Sequence, residues 1–296
     1  MLDLDRSTVL PGAGCVDSCR SPQQDGRRCC LCGGTTFRLL HSWEVGHPRN
    51  GASIPLSVWQ CRCELVLLHP LPTPNQLPED GDWWSSQRKL LMRNPVFKRI
   101  RQRVKNFIFG SGYQRLVRQT RRAGASGRLL DIGCGNGDLL QQARPFFDCE
   151  GVEPSAKAAA VTRGRGFRVR EGQFEDLRFP AASYDVVTMN AVLEHVVDPV
   201  DVLEKVNHLL RPDGVVAVKV PKLWGPSHRR HGREWNGFRV GYHTVMFTGK
   251  TLGAVFHATG FQTLVWPRRD RPLDDILLLW GVKRRGVLGV SRAEAA

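Results

Sequence analysis

The chain has 296 residues and a formal net charge of +15, with 41% hydrophobic and 24% charged residues. This balance is typical of a soluble globular protein, with room for one large domain and a smaller one. No apolar run approaches the roughly 20 residues that span a bilayer, and the first residues lack the apolar segment of a secretory signal. We therefore expect a cytoplasmic protein without a transmembrane segment.

The first 28 residues show no periodicity, and we expect them to form a flexible tail. A cysteine-bounded module of short strands follows at about 29–75. Seven of the nine cysteines lie within the first 63 residues, and in a reducing compartment such thiols favour metal ligation or plain burial over disulfides.

Four of these cysteines have the spacing of a structural zinc site. CCLCGG contains Cys29-x-x-Cys32, and WQCRCELV contains Cys61-x-Cys63. Two thiolate pairs on short turns can close a tetrahedral Zn²⁺ site, although the second pair is one residue shorter than the usual C-x-x-C. Cys30 could replace a neighbour, Cys15 and Cys19 could be spare, and four buried free thiols are the alternative.

A basic helical connector is predicted at 76–125. Between residues 88 and 122 the chain has twelve Lys or Arg and no Asp or Glu. Apolar residues at helical spacing from Val96 to Phe107 predict a helix that packs on the next domain or, alternatively, lies on a membrane surface. The charge could attract nucleic acid, an anionic membrane or a phosphorylated substrate, or it could be a solvated face.

From 126 to 296 the pattern predicts an α/β domain. Strands alternate with helices up to residue 221, which indicates a parallel, doubly wound sheet. TGKTLGAVFHATG predicts a helix capped by Thr248 and stopped by Gly260. Two strands then follow with no helix between them, so the sheet must include an antiparallel strand.

The stretch RLLDIGCGNGDLL places glycines 133, 135 and 137 at every second position after a strand. This differs from the G-x-G-x-x-G of dinucleotide-binding proteins and suits a nucleoside with an amino-acid tail. Glu153 ends the next strand, where a carboxylate can accept ribose hydroxyls. Gln173 and the backbone of Phe174 could meet an adenine edge, and Asn190 ends a fourth strand.

The segments LLDIGCGNGDLL, GVEPS and FPAASYDVVTMNAVLEHVVDPVDVLEKVNHLLRPDGVVAVKVP resemble the class I S-adenosylmethionine-dependent methyltransferases over about 126–296. The resemblance implies a seven-stranded sheet with strand seven antiparallel. It also implies that Asp131, Gly133 and Gly135 hold the methionine part of the cofactor and Glu153 the ribose. Gln173 replaces the Asp that members often have, but its amide oxygen can accept the same hydrogen bond.

With the cysteine module in front, the chain resembles zinc-ribbon methyltransferases of polysaccharide and natural-product pathways. The resemblance implies methylation of oxygen, or alternatively carbon, on a small or carrier-linked acceptor such as a nucleotide-linked sugar, a glycolipid or a natural-product intermediate. The acceptor-binding insertion is expected at about 222–247. Its basic residues could recognise phosphate or carboxylate, and they are Arg229, Arg230, His231 and Arg233.

Two histidines are candidate catalytic bases. The resemblance favours His243, in the insertion, with His195, after the fourth strand, as second choice; either could instead be structural. Glu194 and His195 could also bind a divalent ion, as in ubiquinone-pathway relatives, but those have another acid near the position of Asn190.

Two rival functions remain. An RNA methyltransferase would grip RNA with the basic helix and the zinc module, although no recognised RNA-binding module and few stacking aromatics accompany the basic runs. A non-catalytic module would bind S-adenosylmethionine only to sense it. The oligomeric state is not predicted.

Overall fold

The computed structural model describes residues 21–46, 53–71, 112–122, 125–239, 243–264 and 275–284. Within these ranges the chain forms a four-stranded and a seven-stranded β-sheet. The predicted helix around Val96–Phe107, together with Cys15 and Cys19, lies outside the described residues. None of the described helices is long and apolar enough to cross a membrane.

The described elements follow in chain order. The strands are β1 (Phe37–Gly46), β2 (Ser53–Cys61), β3 (Val66–His69), β4 (Gly127–Ile132), β5 (Phe147–Glu153), β6 (Arg168–Glu171), β7 (Tyr184–Asn190), β8 (Leu210–Pro221), β9 (Val245–Met246), β10 (Phe261–Leu264) and β11 (Ile276–Lys283). The helices are α1 (Gly112–Arg122), α2 (Asp138–Ala143), α3 (Ala156–Gly164), α4 (Pro199–Leu209), α5 (Pro226–His231), α6 (Asn236–Arg239) and α7 (Gly249–Ala258), with a 3₁₀ turn at Gly232–Glu234.

The seven-stranded sheet has the order β10-β11-β8-β7-β4-β5-β6. The strands β8, β7, β4, β5 and β6 are parallel to one another, whereas β11 runs antiparallel to both β8 and β10. The predicted α/β sheet with a terminal antiparallel strand is therefore confirmed. Strand order reverses beside β4, and in such sheets ligands bind outside the carboxyl ends of the strands at this point.

Helices cover both faces of this sheet. Residues of α4 and α7 pack on one face, and residues of α1 and α2 pack on the other. Because both faces are covered, the central strands are nearly continuous apolar runs. The predicted cap of α7 is confirmed, since the Thr248 side chain accepts a hydrogen bond from the amide of Thr251.

Helix α1 belongs to the core of the seven-stranded sheet, although its sequence was assigned to the connector. Leu116 and Val117 are buried in the cluster that contains Trp280 of β11. The indole Nε1 of Trp280 also donates to Thr120 Oγ1 at 3.2 Å. The connector therefore ends before this helix, and the domain begins earlier than residue 126.

The four-stranded sheet has the order β1-β2-β3-β9 and is antiparallel throughout. Three strands come from the cysteine module, and β9 comes from the segment predicted as the insertion. Leu67 of β3 pairs with Val245 of β9, and an apolar cluster containing Val66, Trp235 and Phe238 joins the two segments. The module and the insertion thus share one sheet and one core.

Residues 21–28 depart from the predicted flexible tail because they contact the four-stranded sheet. Arg27 donates from Nη1 to the carbonyl of Leu68 at 2.8 Å. His69 Nε2 lies 2.8 Å from Asp25 Oδ2. The tail prediction is wrong for this stretch because its partners lie some 40 positions further along the chain, beyond the reach of local periodicity.

Candidate functional site

The three glycines of the turn after β4 have different surroundings. Gly133 has a φ of +69°, and a Cβ there would lie 2.4 Å from Val192 Cγ2. Gly137 has a φ of +80°, and its Cβ would lie 2.8 Å from Thr162 Cγ2. Gly135, at a φ of +54°, would meet no described atom within 4 Å. The outer glycines are required by packing, whereas no described atom fills the space beside the Cα of the middle one.

Glu153, at the end of β5, lies against this turn. Its Oε2 accepts from the amide of Gly135 at 2.8 Å, and its Oε1 accepts from the amide of Ser155 at 3.0 Å. A carboxylate oxygen has two lone pairs and can accept from more than one donor. The structure thus brings together the predicted glycine turn and the predicted ribose-binding acid.

Asp131, the predicted methionine-site acid, is buried between β4 and β7. The hydroxyl of Thr188 donates to its Oδ1 at 2.6 Å. Burial raises the pKa of Asp131 to about 7, and nearby Glu153 adds to the rise, while the Thr188 hydroxyl opposes it. Thr188 was not predicted, since a threonine within a buried strand has no distinguishing sequence signal.

The remaining predicted cofactor residues lie at the ends of β6 and β7. Gln173 is exposed and Phe174 is buried, and the Phe174 carbonyl accepts from Lys205 Nζ at 2.7 Å. Asn190 ends β7 with its Oδ1 buried and without a donor among the described residues. An unsatisfied buried amide oxygen requires an explanation, and a ligand donor would provide one.

Both predicted catalytic histidines lie beside the same carboxyl group. Ligand atoms of Glu194, His195 and His243 all lie within 4.8 Å of one another. The two imidazole rings are 4.8 Å apart between centroids and inclined at 70°, and His195 Nε2 lies 4.0 Å from Glu194 Oε1. Two segments distant in sequence therefore form a single cluster, which we call the histidine cluster.

Burial changes the protonation of this cluster. It lowers the pKa of His243 to about 3, with His195 contributing further and the bond to Gly237 opposing. Burial also raises the pKa of Glu194 to about 8, against the effect of Lys219. Near neutral pH, His243 is therefore neutral and the Glu194 carboxyl is largely protonated.

The histidine cluster also has the donors of a metal site. Asn190 stands where a metal-binding relative has an acid, but His243 provides a third donor in the structure. Nearby positive charge opposes a cation, however. Lys219 of β8 opposes the rise in the pKa of Glu194. Burial lowers the pKa of Lys219, Glu194 opposes this effect, and Arg115 adds to it. Lys219 was missed because it lies within an apolar strand.

The four predicted zinc-binding cysteines converge. All four sulfur atoms lie within 4.8 Å of one another. Cys29 and Cys63 are 3.6 Å apart between Sγ atoms, and Cys32 and Cys61 are 3.5 Å apart. The Cys30 thiol interacts with Cys29 and lies outside this group of four.

The insertion holds a buried histidine that no sequence signal distinguishes. His228 of α5 is enclosed by the rings of Trp224, Trp235 and Phe238 at centroid distances of 4.5, 5.2 and 5.1 Å. Neither ring nitrogen has a hydrogen-bond partner among the described residues. The predicted anion-binding residues around it are exposed, namely Arg229, Arg230, His231 and Arg233.

The sheet order, the antiparallel strand, the glycine turn and the acidic strand end together define a class I methyltransferase fold. A family model described as "Methyltransferase domain" matches residues 100–265. The match covers more than half of the 296 residues, and the chain belongs to this family. Its domain is of the S-adenosylmethionine-dependent kind.

Two curated relatives illustrate the similarity. A ubiquinone biosynthesis O-methyltransferase from Haemophilus ducreyi is 35% identical over 149 residues, which are 45% of this chain and 56% of the relative. A trans-aconitate 2-methyltransferase from Azoarcus sp. is 36% identical over 107 residues, covering 34% of this chain and 42% of the relative. The chain thus spans about half the length of the curated relatives it matches.

Among solved structures, the complex between the Haloferax volcanii Trm112 methyltransferase activator and its methyltransferase partner contains a similar chain. The TM-score is 0.51 at 17% identity, and the match covers 71% of this chain and 100% of that chain. This similarity supports the fold alone.

Proposed function

We propose that the protein transfers a methyl group from S-adenosylmethionine to an oxygen of a small or carrier-linked acceptor, with carbon as the alternative. The observation that carries the proposal is the histidine cluster. Glu194 and His195 lie in the loop after β7, and Val192 of that loop lies against Gly133 of the glycine turn. The cofactor supplies an electrophilic methyl group when bound. Asp131, Gly133, Gly135 and Glu153 would hold it, with Gln173, Phe174 and Asn190 as further contacts.

His243 is the proposed general base. Its Nδ1 lies 3.1 Å from the carbonyl of Gly237. A carbonyl can only accept, so Nδ1 carries the proton and Nε2 keeps a lone pair. The neutral ring can then take the proton that an acceptor hydroxyl loses as its oxygen is methylated. With a pKa of about 3, the ring is a weak base. Negative charge on the acceptor oxygen as it loses its proton would raise this pKa.

His195 is the alternative base. It is partly exposed and adjoins the buried Glu194 carboxyl. A protonated Glu194 could donate to the acceptor or to a neighbouring imidazole, and it would limit the net charge of the cluster. Comparison of His195→Ala with His243→Ala separates the two assignments, since only the base variant should abolish turnover without weakening cofactor binding.

An anionic acceptor suits the charges around the cluster. Two groups act on the charge of Lys219: the Glu194 carboxyl, which is itself largely protonated near neutral pH, and the cationic Arg115. A phosphate or carboxylate on the acceptor would offset this positive charge. The names of the curated relatives specify ubiquinone biosynthesis and trans-aconitate, which supports a small-molecule acceptor.

We also propose that Cys29, Cys32, Cys61 and Cys63 hold a structural Zn²⁺ ion. With Zn–S bonds of about 2.3 Å, a tetrahedron has edges of roughly 3.8 Å, close to the observed sulfur separations of 3.5 and 3.6 Å. Four thiolates leave no open coordination position, so the ion would stabilise the fold. Metal analysis of the purified protein should give one equivalent of zinc, and less than half an equivalent would contradict the assignment.

Calorimetry with S-adenosylhomocysteine tests the cofactor, and absence of binding at millimolar ligand would overturn the proposal. Transfer of labelled methyl groups to a panel of phosphorylated sugars, phenols and carboxylic acids tests the acceptor. RNA belongs in the same panel because α1 exposes Arg118, Arg121 and Arg122. A salt-dependent shift with RNA would favour the rival function. Unchanged function in both histidine variants would favour a non-catalytic module.

A further inference from the structure

Thr244 connects the cysteine module to the loop that carries Glu194 and His195. The amide of Leu68 in β3 donates to the Thr244 carbonyl at 2.9 Å, and the amide of Thr244 donates to the Glu194 carbonyl at 2.8 Å. The backbone of this one residue is therefore bonded on one side to the module and on the other side to the loop after β7.

The Thr244 side chain adds a second attachment to the same loop. The Thr244 hydroxyl donates to the Val196 carbonyl. The hydroxyl oxygen also lies 3.2 Å from the carbonyl oxygen of Glu194. Thr244 is buried, with 8% of its surface exposed. These two carbonyls flank His195, so Thr244 fixes the backbone on both sides of one histidine of the cluster.

Thr244 also follows the other histidine directly. His243 precedes it, and Val245 after it begins β9, which pairs with Leu67 of β3. The position of the His243 ring next to His195 therefore depends on how Thr244 is held. Strand β3 itself begins after a tight turn in which the amide of Cys61 donates to the Leu65 carbonyl at 2.8 Å.

We propose that Thr244 is a positioning residue that holds His243 and the Glu194–Val196 loop together, and that the cysteine module is thereby a structural part of the acceptor site. The inference rests on the proposed function only in giving the two histidines a catalytic role. The contact path runs from Cys61 through β3 to Thr244 and ends at the histidine cluster.

The matched variants T244V and T244S separate positioning from simple packing. Valine keeps the shape of threonine and removes the hydroxyl donor, whereas serine keeps the donor and removes a methyl group. Loss of the donor leaves the Val196 carbonyl buried without its partner. The residues proposed for the methionine part and the ribose lie on β4, in the turn after it and on β5, whereas the Thr244 bonds run to β3 and to the loop after β7, so cofactor affinity serves as the control for correct folding.

Long-range proton–nitrogen spectra of the full-length, isotope-labelled protein report the tautomer and surroundings of each imidazole. His243→Asn and His195→Asn assign the two signals. We expect both signals to shift or broaden in T244V and to keep wild-type positions in T244S. S-adenosylhomocysteine affinity should change less than twofold, and zinc content should be unchanged. Unshifted imidazole signals in a T244V protein that still binds the cofactor product would overturn the inference.

A measurement on the wild-type protein covers the case in which T244V fails to fold. Amide hydrogen exchange should show the Thr244 and Leu68 amides protected to the same degree, because they would open together. A Thr244 amide that exchanges as fast as an exposed loop amide would overturn the inference without any variant. Failure of the wild-type protein to bind S-adenosylhomocysteine would instead overturn the proposed function, so the two failures are distinguishable.

Discussion

The main-chain amide of Gly135 donates a hydrogen bond of 2.8 Å to Oε2 of Glu153. This bond joins the turn after β4 to the end of β5, so the residues proposed for the methionine part and for the ribose are held in one arrangement. The Gly135 amide and the Glu153 carboxylate are thus hydrogen-bonded to each other within the protein, and a cofactor would add further hydrogen bonds.

Glu153→Gln should weaken the binding of S-adenosylhomocysteine. A glutamine has one oxygen where the carboxylate has two, so it cannot accept from Gly135, Ser155 and a ribose together. Loss of charge-assisted hydrogen bonds costs about 1.5 to 3 kcal/mol, which corresponds to roughly ten- to hundredfold in Kd by calorimetry. Glu171→Gln is the control, because this acid ends β6 on the surface and pairs with Arg163. Equal affinities in the two variants would contradict the assignment.

Gly133→Ala and Gly135→Ala should affect different properties. A Cβ at Gly133 overlaps Val192, so we expect the free energy of unfolding to fall by about 2 to 4 kcal/mol from overlap and positive φ together. Gly135→Ala has only the φ cost of about 1 kcal/mol but should reduce cofactor binding more. Urea unfolding and calorimetry measure the two effects, and the opposite pattern would show that the turn is misassigned.

His228→Phe should make the free energy of unfolding less sensitive to acid. Burial, with smaller contributions from His41 and Arg229, lowers the pKa of His228 from 6.5 to about 4. The unfolded chain therefore binds the proton first, and the stabilising contribution present above pH 6.5 is lost as pH falls through about 4. Relative to H228F, the wild type should lose on the order of 3 kcal/mol between pH 7 and pH 4.

Urea unfolding at a series of pH values measures this difference. Phenylalanine keeps an aromatic ring among Trp224, Trp235 and Phe238, so packing is largely preserved. His231→Gln is the control, because His231 is exposed on the same helix. Parallel pH profiles for wild type and H228F would show that His228 does not titrate as expected.

Cys61→Ser should release the bound zinc. The substitution removes one of four thiolates and leaves a hydroxyl, which is a poor zinc ligand at neutral pH. We expect less than half an equivalent of metal and a lower unfolding temperature. Cys149→Ser is the matched control, since Cys149 is a buried thiol of β5 and belongs to a different apolar cluster from Cys29 and Cys61. A C61S protein that retained a full equivalent would argue for a different ligand set.

The sequence predicted the large sheet well for physical reasons. Its central strands are buried on both faces, so they appear as apolar runs, and local signals mark the element ends. Thr248 caps α7 as predicted, and Asp198 and Pro199 are signals of the same kind at the start of α4. The turn glycines were equally visible, because positive φ and close packing leave few alternatives to glycine.

The small sheet and the histidine cluster could not be predicted, because they depend on contacts between residues far apart in the sequence. Strand β9 has two residues and becomes a strand only because β3 lies next to it. The pairing of β3 with β9 brings His243 next to Glu194. Both residues could therefore be predicted as site candidates from the sequence, but their proximity could not. Lys219 could not be predicted as a site residue, because the apolar residues on either side of it indicate only a buried strand.

The pairing of β3 with β9 has an evolutionary consequence. The fourth strand of the small sheet is encoded far downstream of the other three, on the opposite side of the region that encodes the cofactor turn. A recombination event that exchanged only the N-terminal module between relatives would leave Val245 and Met246 beside a foreign strand. We expect residues 29–75 and 222–247 to be inherited together. Relatives that differ in their acceptor should then carry substitutions in both segments.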